Sequence, residues 1–412
     1  MQMVLDRVKN ILKRNKDLYK LAFEVYVKIK DFTDRAVYLL FFHLFKFFPI
    51  SSNKIVFSSY YGNGYGDNSK YIAEEIINSE ANYEMVWLLK KGLIHNSDLP
   101  PEIRAVQYGS IRAIYEMVTA KIWIDNCRKS SFLRKRDGQF YIQTWHGGIS
   151  MKQIEKDAEA NLNISYIENA KNDSRMANLF ISNSKFCTNM YRSAFWYNGE
   201  ILECGSPRCD ILMNKKDTIN DKVRNYFGIN SSKHILLYAP TFRTDSNTNV
   251  YDIDYDGLIK VLEKRFGGSW IVLVRLHPNV AYKENFIEYS STIINATDYN
   301  DMYELLATSD ILITDYSSTM FEFSFTNKPV LLYAADIETY IKDRSFYFDI
   351  HSLPYPLAQN NQQLFSILEQ FDEVKYTTEL RKFLSSLELV EQGTASKEVA
   401  EIIGSVINSK NG

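Results

Sequence analysis

Residues 310–333 read Asp-Ile-Leu-Ile-Thr-Asp-Tyr-Ser-Ser-Thr-Met-Phe-Glu-Phe-Ser-Phe-Thr-Asn-Lys-Pro-Val-Leu-Leu-Tyr. This stretch predicts a buried strand, a hydroxyl-rich turn, a helix and a second buried strand. The short apolar run at 311–313 is typical of a parallel strand covered on both faces, and Asp315, Ser317 and Ser318 are candidate N-caps where the chain turns. The stretch therefore predicts one unit of a parallel α/β sheet.

The turn at 314–318 is also a candidate anion site. Unpaired N–H groups and the positive dipole end at a helix N-terminus favour anions, and serine hydroxyls add further donors. An ordinary strand, turn and helix whose serines only cap the helix fits these residues equally well.

Short apolar runs alternate with helical stretches from residue 53 onward, which is the pattern of a parallel α/β sheet. The predicted strands are Lys54–Ser59, Met85–Leu89, Ile122–Asp125, Phe140–Thr144 and Leu179–Ser182, then His234–Tyr238, Trp270–Arg275, Thr292–Ile294, Ile311–Thr314 and Val330–Tyr333. A polar stretch at 214–232 separates the two series and predicts a domain boundary. We expect α/β domains over 51–225 and 226–385, and a helical tail over 386–412.

The composition indicates a globular chain without a strong charge bias. Of the 412 residues, 45% are hydrophobic and 24% are charged, and the net charge is −2. Bulk attraction to nucleic acid is therefore not indicated. The four cysteines form no CxxC pair and have no metal-ligand spacing with histidine, which indicates reduced thiols in a cytoplasmic chain.

Residues 1–50 form a separate basic and aromatic-rich segment. They contain ten Lys and Arg against five Asp and Glu, a net charge of +5. The apolar run at 36–50 is shorter than the ~20 residues that a spanning helix needs, and His43 and Lys46 interrupt it. A basic helical pair here either lies in the interface of an anionic membrane or packs on the first domain.

One histidine follows a predicted strand of the first half. His146 comes just after Phe140–Thr144, and Gly147 and Gly148 beside it allow the backbone to approach a ligand closely. A neutral imidazole can accept a hydroxyl proton near neutral pH, which is the task of a general base. A loop histidine bonded to backbone is the alternative.

Cations follow two strands of the second half. Arg243 ends the run Tyr-Ala-Pro-Thr-Phe-Arg, and Arg275 and His277 belong to Arg-Leu-His-Pro. The carboxyl ends of parallel strands meet at one edge of a sheet, so these groups and the serine turn would surround one anion. Arginine binds phosphate bidentately, and histidine can donate to a phosphoryl oxygen.

A glycine loop, Gly62-Asn-Gly-Tyr-Gly66, follows the first predicted strand. Its spacing differs from the GxGxxG dinucleotide fingerprint. We expect a loop that precedes a helix capped by Asp67 or Asn68. Such a loop could contact an acceptor substrate or serve only as a connection.

Taken together, Thr144-Trp-His-Gly147, Tyr238-Ala-Pro-Thr-Phe-Arg243, Arg275-Leu-His-Pro278 and Thr314-Asp-Tyr-Ser-Ser318, followed by Lys328-Pro329, Tyr333 and Asp336, resemble the CDP-glycerol glycerophosphotransferase family. These enzymes are the teichoic acid primases and polymerases. The similarity runs from about Lys54 to about Ala395 and includes Tyr65-Gly-Asp-Asn-Ser69. It implies a GT-B-like α/β fold, in which two Rossmann-like domains face a cleft.

The resemblance also implies an activity and a location. A polyol phosphate, with glycerol phosphate expected, would pass from a CDP-activated donor to a hydroxyl of a lipid-linked, undecaprenyl-type saccharide, releasing CMP. No metal or other cofactor is expected, and neither is a nucleic-acid partner. The enzyme would be peripheral on the cytoplasmic face of a bacterial membrane. Four alternatives stay open: a CDP-ribitol donor, a capsule polymerase, a GT-B glycosyltransferase that uses a nucleotide sugar, and a non-catalytic membrane assembly protein.

Single residues take roles from the same resemblance. His146 corresponds to the base on the acceptor hydroxyl, and His277 to a second essential histidine near the donor pyrophosphate. The implied donor-binding residues are Arg243, Arg275, Thr314, Ser317, Ser318 and Glu322, the last at the cytidine ribose, and the acceptor-side residues are Trp145, Gly147, Asp67 and Asn68. The family's usual His-Gly-Thr-Pro is His-Gly-Gly-Ile at 146–149, and Gly66 stands where the family has Ser. Both departures lie in the acceptor half.

Overall fold

The computed structural model describes residues 16–95, 98–214, 217–241, 243, 251–276, 287–342 and 345–409. Within them the chain forms two parallel β-sheets joined by helices. The strands of the first sheet are β1 Ser51–Ser58, β2 Glu84–Leu89, β3 Ile103–Gln107, β4 Ala120–Asp125, β5 Phe140–Gln143, β6 Leu179–Ser182 and β7 Glu200–Glu203. Those of the second are β8 Lys233–Tyr238, β9 Ser269–Val274, β10 Ile293–Asn295, β11 Ile311–Thr314, β12 Val330–Tyr333 and β13 Leu357–Ala358. Each strand predicted from the sequence is present.

Both sheets have a point where the strand order reverses. In the described residues the first has the order β3-β2-β1-β4-β5-β6-β7 and the second β10-β9-β8-β11-β12-β13. The reversals lie at β1/β4 and β8/β11, and such switch points open a crevice beyond the carboxyl ends of the strands. All residues of β4 and β11 are buried, including the apolar runs at 122–124 and 311–313.

Three strands, β3, β7 and β13, are absent from the sequence prediction. All three lie at sheet edges. β7 exposes Glu200 and Glu203, and β3 exposes Arg104 and Gln107. Because an edge strand has a neighbour on one side only, its polar residues can face solvent, and no apolar run marks it.

The helices of the described residues are α1 Lys16–Phe45, α2 Asp67–Asn78, α3 Ile111–Thr119, α4 Ile164–Met176, α5 Lys185–Ala194, α6 Asp210–Met213, α7 Asp217–Phe227, α8 Tyr255–Phe266, α9 Met302–Thr308, α10 Thr319–Phe323, α11 Ile337–Lys342, α12 Asn361–Glu369, α13 Glu373–Ser386 and α14 Ala395–Asn408. The last helix returns to the first sheet, since Val399 and Ile403 share a buried cluster with Ile72 and Ile76 of α2. The expected tail thus adds to the core of the N-terminal half. The expected boundary near residue 225 lies in α7, between the two sheets.

The basic N-terminal segment is a single helix, α1, in its described part. Tyr38 anchors it: the side chain is buried against Ile114 and Val118 of α3, and its hydroxyl donates to the carbonyl of Arg134 at 3.0 Å. The outer face exposes large apolar side chains, including Phe32 at 72%. None of the described helices combines the length and the hydrophobicity that crossing a membrane requires.

Candidate active site

His146 lies shortly after β5, at the carboxyl end of the first sheet. Its ring nitrogen Nδ1 is 2.7 Å from the backbone carbonyl oxygen of Asn126. A carbonyl oxygen can only accept a hydrogen bond, so Nδ1 carries the proton, and Nε2 of the neutral ring keeps its lone pair. This is the tautomer that a general base acting through Nε2 requires.

The surroundings of His146 keep its ring neutral. The residue is exposed at the surface, but many protein atoms lie around its ring. This burial lowers the pKa of His146 below the ordinary value of 6.5, and it outweighs the hydrogen bond to Asn126 and the charge of Asp67, which raise the pKa. A neutral imidazole is therefore available at neutral pH.

Neighbouring side chains fix the backbone before His146. Trp145 has a φ of 54°, in the left-handed region that an aromatic residue adopts only under strain. The side-chain nitrogen of Asn68 donates to the carbonyls of Thr144 at 3.3 Å and Trp145 at 3.2 Å. Asn68 of α2 thus holds the strained peptide that directs the His146 side chain.

The side chain of Trp145 and the backbone of Gly147 also have protein partners. The guanidinium of Arg128 lies 5.1 Å from the Trp145 ring, and the ring of Phe195 lies 4.7 Å from it. The carbonyl of Gly147 accepts from the hydroxyl of Tyr191 at 2.8 Å. Both predicted acceptor-side positions therefore support the His146 loop, and their contact with an acceptor stays a prediction.

The expectation that Asp67 or Asn68 caps a helix is wrong. Helix α2 begins at Asp67, its N-cap residue is Gly66, and no side chain caps it. The Asp67 carboxylate instead accepts from the hydroxyl of Tyr60 at 2.7 Å and from the guanidinium of Arg208 at 2.8 Å. Burial raises the pKa of Asp67, but the charge of Arg208 and the hydrogen bonds bring it below its ordinary value. The carboxylate is thus ionised beside the His146 loop.

Arg208 is the residue of this site that the sequence prediction missed. It is 1% exposed, and its second guanidinium nitrogen lies 2.6 Å from the carboxylate of Glu322. The other oxygen of Glu322 accepts from the hydroxyl of Tyr303 at 2.7 Å. Arg208 therefore joins Asp67 in the first half to Glu322 in the second.

A signal for Arg208 is present in the sequence. Gly205-Ser-Pro-Arg208 follows β7, so Arg208 is another cation just beyond a strand end. The sequence prediction lacked β7, so it did not show that Arg208 follows a strand. Glu322, expected at the ribose, is 3% exposed and directs both oxygens into the contact between the two halves. Its role toward ribose stays a prediction.

The guanidinium of Arg243 binds carboxylates in this structure. It lies 2.6 Å from Asp336 and 2.8 Å from Asp315. It is also 5.0 and 4.9 Å from the ring centres of Tyr316 and Tyr340, which stack on each other at 3.6 Å. Asp315, a candidate N-cap in the sequence, is not the N-cap residue of α10, which is Ser318. The Asp315 carboxylate accepts from the backbone N–H groups of Thr241 at 2.9 Å and Tyr316 at 2.6 Å. Arg243 thus orders the chain after β8, and its contact with phosphate stays a prediction.

The hydroxyl turn after β11 divides into a buried and a more open part. Thr314 is buried and donates to the carbonyl of Ala239 at 2.7 Å, so it joins β11 to the end of β8. Ser317 and Ser318 are partly exposed, and the hydroxyls of Ser317 and Thr319 lie 2.8 Å apart. Ser318 is the N-cap residue of the short helix α10, but its side chain makes no cap bond. The two serines are thus the more accessible hydroxyls of the turn.

Arg275 differs from Arg243 in its partners. Its guanidinium donates to the carbonyl of Ala296 at 3.3 Å and to that of Tyr299. No ion pair to a carboxylate is found for Arg275 within the described part of the chain. The guanidinium of Arg275, at the end of β9, is therefore a candidate to bind an anionic ligand. His277 lies outside the described residues, so the expectation for it stays a prediction.

The comparison with known families shows to which family the chain belongs. A model of the family CDP-glycerol:poly(glycerophosphate) glycerophosphotransferase matches residues 39–405. The chain belongs to this family. The resemblance found in the sequence, and the expectation of a transferase of this type, are confirmed.

Individual relatives agree. The teichoic acid poly(glycerol phosphate) polymerase of Bacillus spizizenii is 30% identical and covers 89% of this chain and 95% of its own. The teichoic acid glycerol-phosphate transferase of Staphylococcus aureus is 29% identical, and the alignment covers 91% of this chain and 98% of that protein. The polymerase of Staphylococcus epidermidis is 30% identical over 97% of this chain, which spans about half, 54%, of that longer protein.

Solved structures confirm the GT-B-like α/β fold. The wall teichoic acid polymerase TagF superposes with a TM-score of 0.82 at 28% identity, covering 100% of this chain and 98% of that one. A TagF variant soaked with CDPG gives a TM-score of 0.79 at 29% identity, with coverages of 98% and 97%.

Proposed function

We propose that this protein transfers glycerol phosphate from CDP-glycerol to a hydroxyl of a lipid-linked saccharide, in the synthesis of a teichoic acid or a related cell-surface polymer. The observation that carries the proposal is the tautomer of His146, whose Nδ1 is held by the carbonyl of Asn126 at 2.7 Å. Because the chain belongs to this family, we infer that Nε2 of His146, which can accept a proton, activates the hydroxyl of the acceptor substrate.

In the proposed reaction, Nε2 of His146 takes the proton of the acceptor hydroxyl while the hydroxyl oxygen attacks the β-phosphorus of CDP-glycerol. The bond from that phosphorus to the bridging oxygen breaks, and its electron pair leaves with CMP. Phosphoryl transfer depends on positioning and on stabilising negative charge. We assign charge stabilisation to Arg275, Ser317 and Ser318, because these groups keep capacity for a ligand in the structure.

Two of the residues predicted to bind the donor, Arg243 and Thr314, are buried and would position the strand ends around the site. Arg243 is bound to Asp336 and Asp315, and Thr314 to the carbonyl of Ala239. We infer that they hold the ends of β8 and β11 at the spacing that the donor needs. We propose that charge stabilisation comes from the protein itself, so CMP release should persist in EDTA.

Glycerol is proposed over ribitol on the ranking of relatives. Two glycerol phosphate polymerases are 30% identical and a third is 27% identical to this chain. The ribitol phosphate polymerase and primase of Bacillus spizizenii are 28% and 25% identical. Thermal-shift measurements with CDP-glycerol, CDP-ribitol and a UDP-sugar separate the candidates, because a ligand bound by the native state alone raises the midpoint. A shift with the UDP-sugar only would support a glycosyltransferase. Binding without CMP release from any CDP-alcohol would support a non-catalytic assembly protein.

We further propose that α1 attaches the enzyme peripherally to the cytoplasmic face of an anionic membrane. Its exposed apolar side chains include Leu21, Ile29, Phe32 and Leu40, at 59%, 60%, 72% and 66% exposure. Burial of such side chains and attraction of lysine and arginine to anionic lipid add in the interface. Co-sedimentation with vesicles that contain phosphatidylglycerol tests this: Phe32→Ser with Leu40→Ser should reduce the bound fraction.

A further inference from the structure

A basic cavity lies at the seam between α1 and α4, apart from the candidate active site. Its volume is about 540 Å³, and its lining consists of Arg35, Ser131, Glu168, Lys171, Arg175 and Trp196. Small-molecule sites have volumes in this range. None of the residues assigned to the proposed transfer reaction belongs to this lining.

Helical spacing brings the charges of α4 to one wall. Glu168, Lys171 and Arg175 follow one another at three and four residues, so they share a face of the helix. Arg35 of α1 adds a third cation, and three cations with one carboxylate give the lining a net charge of +2. In the described residues, Arg35, Lys171 and Arg175 have no ion-pair partner. The cavity thus offers positive charge to an anion.

Trp196 forms an ordered aromatic wall of the same cavity. Its φ is 48°, a conformation that is strained for a bulky residue and that clusters at ligand sites. The ammonium of Lys171 lies 5.4 Å from the centre of the Trp196 ring. A cation placed over an aromatic face leaves the hydrogen atoms on its other side free to bind an anion.

The lining of the cavity has connections to the proposed membrane helix and to the His146 loop. On the outer side, Arg35 follows Phe32, which is 72% exposed on the same helix. On the inner side, Phe195 directly precedes Trp196, and its ring is 4.7 Å from that of Trp145, next to His146. Trp196 is thus connected to the candidate base through its chain neighbour Phe195 and the ring of Trp145, which lies 4.3 Å from the ring of His146.

We propose that this cavity binds the phosphate or diphosphate group of a membrane lipid. The location beside α1 favours a lipid over a free anion, and the identification of the lipid as the acceptor rests on the proposed function. Two lipids share this chemistry: an acceptor whose saccharide is joined to lipid through phosphate, and an anionic phospholipid.

The test compares Lys171→Gln/Arg175→Gln with Lys20→Gln/Lys28→Gln, a control that removes the same charge from exposed positions of α1. One arm measures binding to vesicles of phosphatidylcholine with phosphatidylglycerol. The other measures KM for a lipid-linked acceptor and for a soluble saccharide acceptor that lacks phosphate. Circular dichroism and the thermal midpoint establish that each variant is folded.

If the ligand is the acceptor lipid, the cavity variant raises KM for the lipid-linked acceptor about tenfold, the effect of about 1.4 kcal/mol. KM for the phosphate-free acceptor then stays unchanged. If the ligand is a phospholipid, the cavity variant loses vesicle binding about tenfold more than the control. Equal behaviour of the two double variants in both arms overturns the proposal. Absence of CMP release by the wild-type enzyme would overturn the proposed function alone, because the vesicle arm still tests the cavity.

Discussion

The guanidinium of Arg208 donates to the carboxylate of Glu322 at 2.6 Å, and this bond joins the segment after β7 to the helix after the hydroxyl turn. The same guanidinium holds Asp67, whose charge acts on His146. Arg208, Asp67 and Glu322 are all buried. A buried chain of charges therefore connects the segment beside the His146 loop to the helix that follows the hydroxyl turn.

Arg208→Met should destabilise the fold by about 3–5 kcal/mol, because it leaves two buried carboxylates without their cation. Urea unfolding followed by tryptophan fluorescence measures the loss. Lys264→Met is the matched control, since Lys264 and Glu369 form an exposed ion pair at 3.0 Å, and exposed pairs contribute little. A loss for Arg208→Met no larger than that of the control would contradict the importance of the bridge.

Asn68→Asp should disturb the His146 loop while keeping the size of the side chain. The substitution replaces the nitrogen that donates to the carbonyls of Thr144 and Trp145 with an oxygen that repels them. Breaking such buried bonds costs about 1–3 kcal/mol, so we expect kcat for CMP release to fall by about 5- to 150-fold. KM for CDP-glycerol should change little. Asn300→Asp, at an exposed position bonded to Asp98, is the control, and an equal effect of both substitutions would argue against this role of Asn68.

The two glycines after His146 should respond differently to alanine. A Cβ at Gly148 would lie 2.5, 3.1 and 3.3 Å from the three amide atoms of Asn183, so rotating that buried amide gives no relief. A Cβ at Gly147 would meet only the Trp145 ring, at 3.8 Å. We expect Gly148→Ala to destabilise by about 1–3 kcal/mol and Gly147→Ala to have little effect, measured by thermal unfolding. Equal midpoints for both variants would show that the loop has more room.

The pH dependence of the reaction should report the lowered pKa of His146. A general base is active when unprotonated, so kcat/KM rises with pH through the pKa of the base and levels off above it. Because burial lowers the pKa of His146 below 6.5, the acid limb should have its midpoint below 6.5. Initial rates of CMP release at a series of pH values give this midpoint. A midpoint above 6.5, with the protein folded throughout, would point to another group.

The sequence predicted well what depends on local pattern. The apolar residues of β11 mark a strand buried on both faces, and the order of strand-end motifs was enough to recognise the family. Edge strands such as β7 have no such pattern, and Arg208 was missed with β7. The sequence also did not predict contacts between residues that are far apart in the chain. Arg243 matches a phosphate-binding arginine in sequence, yet its guanidinium pairs with Asp336, 93 residues away.

Turnover of His146→Ala tests the central claim most directly. With CDP-glycerol and a lipid-linked acceptor, we expect CMP release to fall by about 10² or more, the usual scale for losing a general base. His351→Ala, at an exposed histidine of the C-terminal half, should keep the wild-type rate. Near-normal CMP release by a folded His146→Ala variant would contradict the assignment of His146 as the base.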